Sequence, residues 1–480
     1  MKRFLLVLIG VAAVVAFMAL PASAADLKFG GMFWTKYYSD DNIKDGTDDA
    51  DDNLSGFYTR MRLYFTATAS ENLMAVFKGE IDDIWGDGRI GRVSTDGGSD
   101  GRADGSAAVG STSPTRFTDA SANSGMELKN FYIQFNMPNT PLTFLVGALP
   151  AKIGSGLVFN DDTNGIVAIG KFDPVKVVLV YSRLQDNAQP TTQDLTGVTN
   201  AMQNVTPATP LTSHDDWDLW AGEVRFRLMK ELELTLGGSW VNTTFDNPSR
   251  DFDLYNAVLD VDFKTDTFSL YGTGGMNFGT VDLAPSGDAD FKGYLISAGA
   301  AFNLGPVGIG VDGFYSSGSN DTDDINTYVT PGVDGRNTYY MDEVVFPGMF
   351  DDESSTISTF PNNGTKLNNV SSTGLTVTNA GYTLTNVWAV GAHVDFKPLE
   401  QTLLQAGAAY INFVRDVPSD PDGGEDDKLG TSLYLRLTQG IVDGLQLKAA
   451  FGYLIADDGY SVVDNEDDAY KFATGLFWSW

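Results

Sequence analysis

Cysteine is absent from the 480 residues, which excludes a disulfide framework, a thiolate metal site and a C-x-x-C-H haem attachment. Basic residues are scarce: 31 Lys plus Arg stand against 63 Asp plus Glu, a net charge of −32, and that balance argues against nucleic acid, which needs a basic surface. Histidine occurs only twice, as His214 and His393. Long apolar runs are missing too, with one exception at the start. After residue 24 no segment approaches the ~18 consecutive apolar residues of a membrane-crossing helix. The exception is Phe4 to Leu20, which follows Met1-Lys2-Arg3 and precedes Pro21-Ala22-Ser23-Ala24. Basic start, short apolar run and small-residue site read as a secretory signal peptide over 1–24, leaving Ala25 first in the mature chain and 25–480 as one domain. A retained anchor is the alternative. Glycine is plentiful at 52 residues, and aromatics make up 12%.

The remaining chain is patterned with a period of two. In FYTRMRLYFTA, residues 57–67, Phe57, Met61, Leu63 and Phe65 fall on one face and Tyr58, Arg60, Arg62 and Tyr64 on the other, because successive strand side chains point to opposite sides. The pattern returns in YNAVLDVDF and LELTLGGSW, and again in LGTSLYLRL and LQLKAAFGY. It places strands near 26–38, 55–69, 72–84, 127–137, 142–151, 165–172, 175–184, 215–228, 232–241, 253–264, 267–278, 291–303, 307–315, 385–396, 402–413, 429–438, 445–454 and 470–480. Short connections such as Ser70-Glu71 and Asp173-Pro174 alternate with long ones such as 85–126, 185–214 and 316–384. A soluble sandwich would also alternate, but it has no reason to gather its long loops at one end. An up-and-down transmembrane barrel does.

The outward aromatics cluster at strand ends. Phe65, Phe135, Phe226, Phe263, Phe302 and Phe396 approach the short turns, and Tyr37, Trp240, Phe278, Tyr315, Tyr410 and Tyr453 approach the far end. Two such girdles bound the apolar band of a membrane barrel. Hydrocarbon supplies no water to the backbone, so the sheet must close and its first strand must pair with its last. The expected fold is therefore an all-β, antiparallel up-and-down barrel of eighteen strands, sixteen being the alternative because 142–184 is ambiguous. The last strand ends GLFWSW, with Trp478 and Trp480 where an interface favours tryptophan.

That ending carries a resemblance. Gly475-x-x-Trp478-x-Trp480 resembles the C-terminal signal of bacterial outer-membrane proteins, which usually closes on Phe, so Trp480 is a departure. From Ala25 to Trp480 the chain resembles a Gram-negative porin, and eighteen strands are similar to the selective channels of the alginate-export and basic-amino-acid types. The resemblance implies placement in the outer membrane, recognition by the barrel-assembly machinery and association as a homotrimer.

Inward charges are candidates for lining such a channel. Arg60 and Arg62, with Lys78 and Glu80 beside them and Asp82 above, fall near mid-depth; Arg225, Arg227 and Arg436 fall nearer the periplasmic mouth. Ordinary pairing with Glu80, Asp82, Glu223 or Asp260 is the plainer role for any one of these arginines. Loops 85–126 and 316–384 are long enough to turn inward, and the second carries Asp342 and Glu343 in an apolar cluster that would set them against Arg60 and Arg62. The lumen holds few aromatic stacks, which favours small hydrophilic solutes and ions over long sugars. Acidic loops with Asp48, Asp49, Asp51 and Asp52 offer carboxylates to a structural Ca²⁺ or Mg²⁺ bridging lipopolysaccharide; Asn53 stands where an EF-hand loop needs Gly, and a solvated loop is the plainer reading. No cofactor is expected. A rim protease built on His214, a selective channel for organic acids or acidic polysaccharide, and a barrel sheathing a partner protein are the competing functions.

Overall fold

The computed structural model describes residues 26–41, 54–84, 124–185, 216–244, 252–282, 288–318, 324–329, 332–333, 386–418, 425–458 and 468–480. The proposed signal peptide, 1–24, lies outside them. The chain forms β1 (Asp26–Asp41), β2 (Leu54–Ser70), β3 (Leu73–Ile84), β4 (Ser124–Asn136), β5 (Leu142–Ile153), β6 (Phe159–Phe172) and β7 (Val175–Gln185). It continues with β8 (Asp216–Met229), β9 (Leu232–Thr244), β10 (Phe252–Lys264), β11 (Phe268–Asp282), β12 (Asp288–Phe291), β13 (Tyr294–Leu304) and β14 (Val307–Ser316). It ends with β15 (Asp324–Ile325), β16 (Gly332–Val333), β17 (Val387–Leu399), β18 (Thr402–Pro418), β19 (Glu425–Val442), β20 (Leu445–Ala456) and β21 (Ala469–Ser479). No helix occurs among the described residues.

Eighteen of these strands pair antiparallel with their neighbours, and β1 pairs with β21 from Met32↔Ser479 to Asp41↔Tyr470. The sheet is thus a closed barrel of eighteen strands, and the expected count holds. The region 142–184 resolves into β5, β6 and β7. The remaining three strands, β12, β15 and β16, are short pieces attached to the barrel.

Side chains are arranged inside out relative to a soluble protein. On β9, Leu236 is 53% exposed while its neighbour Thr235 is 4% exposed. Apolar residues cover the outside, because an environment of hydrocarbon rewards them there; polar residues turn into the lumen. The girdle aromatics meet across strands: Trp240, Tyr255 and Phe278 stack with ring centroids 6.0 and 5.3 Å apart, and Phe268 meets Phe302 at a tilt, 4.6 Å apart.

At the seam, Trp480 and Gly31 exchange backbone hydrogen bonds, Gly31 N donating to Trp480 O at 3.3 Å and Trp480 N to Gly31 O at 3.2 Å. A Cβ on Gly31 would lie 2.6 Å from the Trp480 ring. Glycine is needed there because the Arg62 carbonyl oxygen, nearer still to that Cβ, and the indole together occupy the space of a side chain. Trp478 and Trp480 pack 4.5 Å apart on the outer face.

Candidate functional site: two sectors of the lumen

The inward face of β19, β20, β21 and β1 to β4 is basic and aromatic. Arg60 Nη2 lies 3.1 Å from Glu80 Oε1, Arg62 Nε pairs with Glu80 Oε2, and Lys129 Nζ reaches Glu80 at 4.0 Å. Glu80 is 2% exposed. One buried carboxylate therefore fixes two guanidinium groups in place, using both oxygens. The register of β2 on β3 explains the cluster, since Arg62 lies opposite Glu80 and Tyr64 opposite Lys78. A register shift at Lys78/Gly79 between β3 and β4 accompanies a second basic contact. There Lys129 approaches Asp162 Oδ2 at 3.9 Å and Asn130 donates to Asp162 Oδ1 at 2.8 Å.

Beside them Trp34 is fully buried and stacks on Tyr58 at 5.3 Å. Lys36 Nζ stands 5.3 Å from the indole centre and Arg60 Cζ 5.7 Å from it, a cation on an aromatic face. Gly475 is opposite both Lys36 and Lys448, so no side chain separates the two lysines. Lys448 Nζ lies 4.4 Å from the Phe477 ring, and Arg436 Cζ 5.7 Å from Tyr434. The expectation of few lumen aromatics was incorrect here. Trp34, Tyr64, Tyr434 and Phe477 alternate with polar residues and look like ordinary strand positions in the sequence.

The opposite sector, β5 to β11, is different. The connection between β5 and β6, residues 154–158, is short and turns into the barrel. Gly154 N donates to Glu223 Oε2 at 2.7 Å, and Ser155 N to Asp260 Oδ2 at 2.8 Å. Behind this tip Leu149, Ile153, Val158 and Phe159 pack on the inward Val178, Leu219, Val241, Leu254 and Val258. A strap crosses beside it. Asn277 grips the Val329 peptide at two points, donating to its carbonyl at 2.6 Å and accepting from its N–H at 2.8 Å. Asn256 donates to the same carbonyl at 2.7 Å. β16 then pairs parallel with β6 at Gly332↔Phe159. Tyr328 donates to Leu157 O at 3.1 Å; burial pushes its phenol well above the ordinary range, so it stays a neutral donor.

The inward tip was missed in the sequence. Loops 85–126 and 316–384 were the nominees, whereas 154–158 is among the shorter connections. Within the second nominee, Tyr328 and Val329 do lie inside, bound by Leu157, Asn256 and Asn277. Two signals mark the tip in retrospect: Gly154-Ser155-Gly156, and apolar residues on both faces of β5 and β7.

The other expected positions fall as follows. Asp82 is opposite Arg60, with its side chain outside the described residues. Arg225 pairs with Glu223 and approaches Glu233 at 3.9 Å, and Arg227 lies 3.8 Å from Glu233. Asp342 and Glu343, Asp48, Asp49, Asp51 and Asp52, and His214 all lie outside the described residues. His393 faces the lumen, its Nδ1 3.2 Å from Asp312 Oδ2, while Tyr271 donates to Asp312 Oδ1 at 2.8 Å. Among the described residues no group of three or more acidic or histidine side chains could hold a metal ion.

No protein-family model and no curated protein matches this sequence. Solved structures do. OccAB1 of Acinetobacter baumannii is 9% identical, with a TM-score of 0.55 over 95% of this chain and 97% of that one. OccK9 (OpdG) of Pseudomonas aeruginosa is 12% identical, with a TM-score of 0.55 over 95% and 99%. The outer membrane protein OprD of Pseudomonas aeruginosa is 9% identical, with a TM-score of 0.52 over 95% and 94%. These likenesses run nearly end to end and show a shared barrel fold.

Proposed function

We propose that this chain is an outer-membrane channel through which small hydrophilic solutes and ions diffuse passively. One observation carries the reading: a closed eighteen-strand barrel is apolar outside and lined inside by fixed charges, and a barrel of that size holds water unless it is plugged. Its strand order supports a field across the bore. The basic cluster on β1 to β3 stands seven to nine places around the eighteen-strand ring from β10, where Asp260 and Asp262 point inward. Arg60, Arg62, Lys78, Glu80 and Asp82 are the residues assigned to the narrow zone, with Arg225, Arg227 and Arg436 toward the periplasm. Asp342 and Glu343 add to the acidic side if their loop enters the vestibule.

A second reading, selectivity for organic acids, is favoured by the basic sector, where Lys36, Arg60, Arg62, Lys78, Lys129, Arg436 and Lys448 converge. Purified protein in planar bilayers tests both. Conductance and reversal potential in asymmetric KCl, with organic acids and sugars as competitors, should show an open pore blocked better by the acids. A pore that stays shut, or blocks equally with neutral sugars, counts against the first or the second reading in turn. Gly475, Trp478 and Trp480 are assigned to recognition by the assembly machinery; a trimer and cation bridges from the acidic loops to lipopolysaccharide complete the proposal.

A further inference from the structure

Apolar packing holds the arms of the tip at 154–158, but its backbone N–H groups have left water and need acceptors. The wall supplies two. Glu223 and Asp260 are 2% and 4% exposed, and each gives one oxygen to the tip. Its other oxygen is held by the wall: Arg225 donates to Glu223 Oε1, and Thr273 Oγ1 donates to Asp260 Oδ1 at 2.7 Å. The two carboxylates are thus oriented before the tip reaches them.

The surrounding shape fits the same role. Gly154 has φ of 63°, and a Cβ there would lie 2.7 Å from Asp260 Oδ2. A Cβ on Gly237 would lie 3.1 Å from Ile153 Cγ2, so the wall is hollowed where the tip's isoleucine rests. From the other side Tyr328 holds the Leu157 carbonyl.

We infer that Glu223 and Asp260 are positioning residues that moor the 154–158 tip within the lumen and so set the width of the channel. The inference rests on the channel reading for its effect on conductance, but the mooring itself can be measured separately. The chain has no cysteine, so Ser155→Cys introduces a single thiol. The Ser155 side chain is exposed; its hydroxyl also bonds Asp260, and a nitroxide in its place leaves the backbone N–H bond to Asp260 standing.

With Glu223 and Asp260 present, the labelled barrel in lipid vesicles should give an immobilised spectrum. Glu223→Ala with Asp260→Ala should give a mobile one, and single-channel conductance should rise about twofold as the tip leaves one side of the bore. Glu223→Gln with Asp260→Asn keeps an acceptor oxygen at each place and should restore both values. Gly154→Ala changes no wall charge and should free the label as well, so it serves if the double alanine variant does not fold; folding is checked by heat-shifted electrophoretic mobility. An immobile label in folded double alanine and Gly154→Ala variants overturns the mooring. A label that responds as expected in a barrel that never conducts overturns the channel reading and leaves the mooring standing.

Discussion

The two sectors of the lumen wall belong to one continuous antiparallel sheet and obey different rules. On β2 and β3 the inward residues include Arg60, Arg62, Lys78 and Glu80, with Glu80 holding both arginines, and they alternate with the outward Met61, Leu63, Phe65, Phe77 and Ile81. On β5 to β7 the inward Leu149, Val167, Val178 and Val180 are as apolar as the outward Val146, Ile166 and Leu179. In the first sector charged side chains pair with one another; in the second, apolar side chains pack on folded chain. Alternation in a membrane strand therefore reports a polar inner face, and it fades where the barrel fills its own interior with apolar packing.

Breaking either sector should cost stability by a different mechanism. Glu80→Ala leaves two arginines and Lys129 around an empty place, and losing one side of a buried ion pair costs roughly 3–5 kcal/mol. Urea unfolding in phospholipid vesicles should show that loss, and an unchanged midpoint would dissolve the contrast. Arg60→Ala with Arg62→Ala should shift the reversal potential in a KCl gradient toward cations. That shift should shrink in concentrated salt, where screening falls to a few ångströms.

In the dry sector the analogous change is a cavity. Leu149→Ala should cost about 2–5 kcal/mol in the same assay, with little effect on ion preference. A large selectivity change would mean that water already reaches this packing. The lipid face offers a third contrast. Leu259 lies midway between Tyr255 and Phe263 on the outside of β10, and Leu259→Arg should cost about 2–4 kcal/mol at that depth. Tyr328→Phe should have the smallest effect, about 1 kcal/mol for the Leu157 carbonyl it leaves unbonded.

Much of the barrel was legible because lipid and water impose a period of two on each strand. Phe57 to Ala67 reads directly as a strand with Arg60 and Arg62 inside. Register was not legible: that Arg62 stands opposite Glu80, or Gly475 between Lys36 and Lys448, depends on how strands slide against one another. The inward tip was least visible: Gly154-Ser155-Gly156 marks a tight turn, and only the apolar residues on both faces of β5 and β7 hint at which side of the wall it takes.

Composition and alternation by themselves determined that these strands have an oily face and a polar one, and so required a closed sheet, because an edge in hydrocarbon has no partner. The tertiary structure alone decided what fills the enclosed space. Carboxylates, asparagines and a glycine hollow from strands distant in sequence must converge before a loop can lie inside, and no local pattern encodes that convergence.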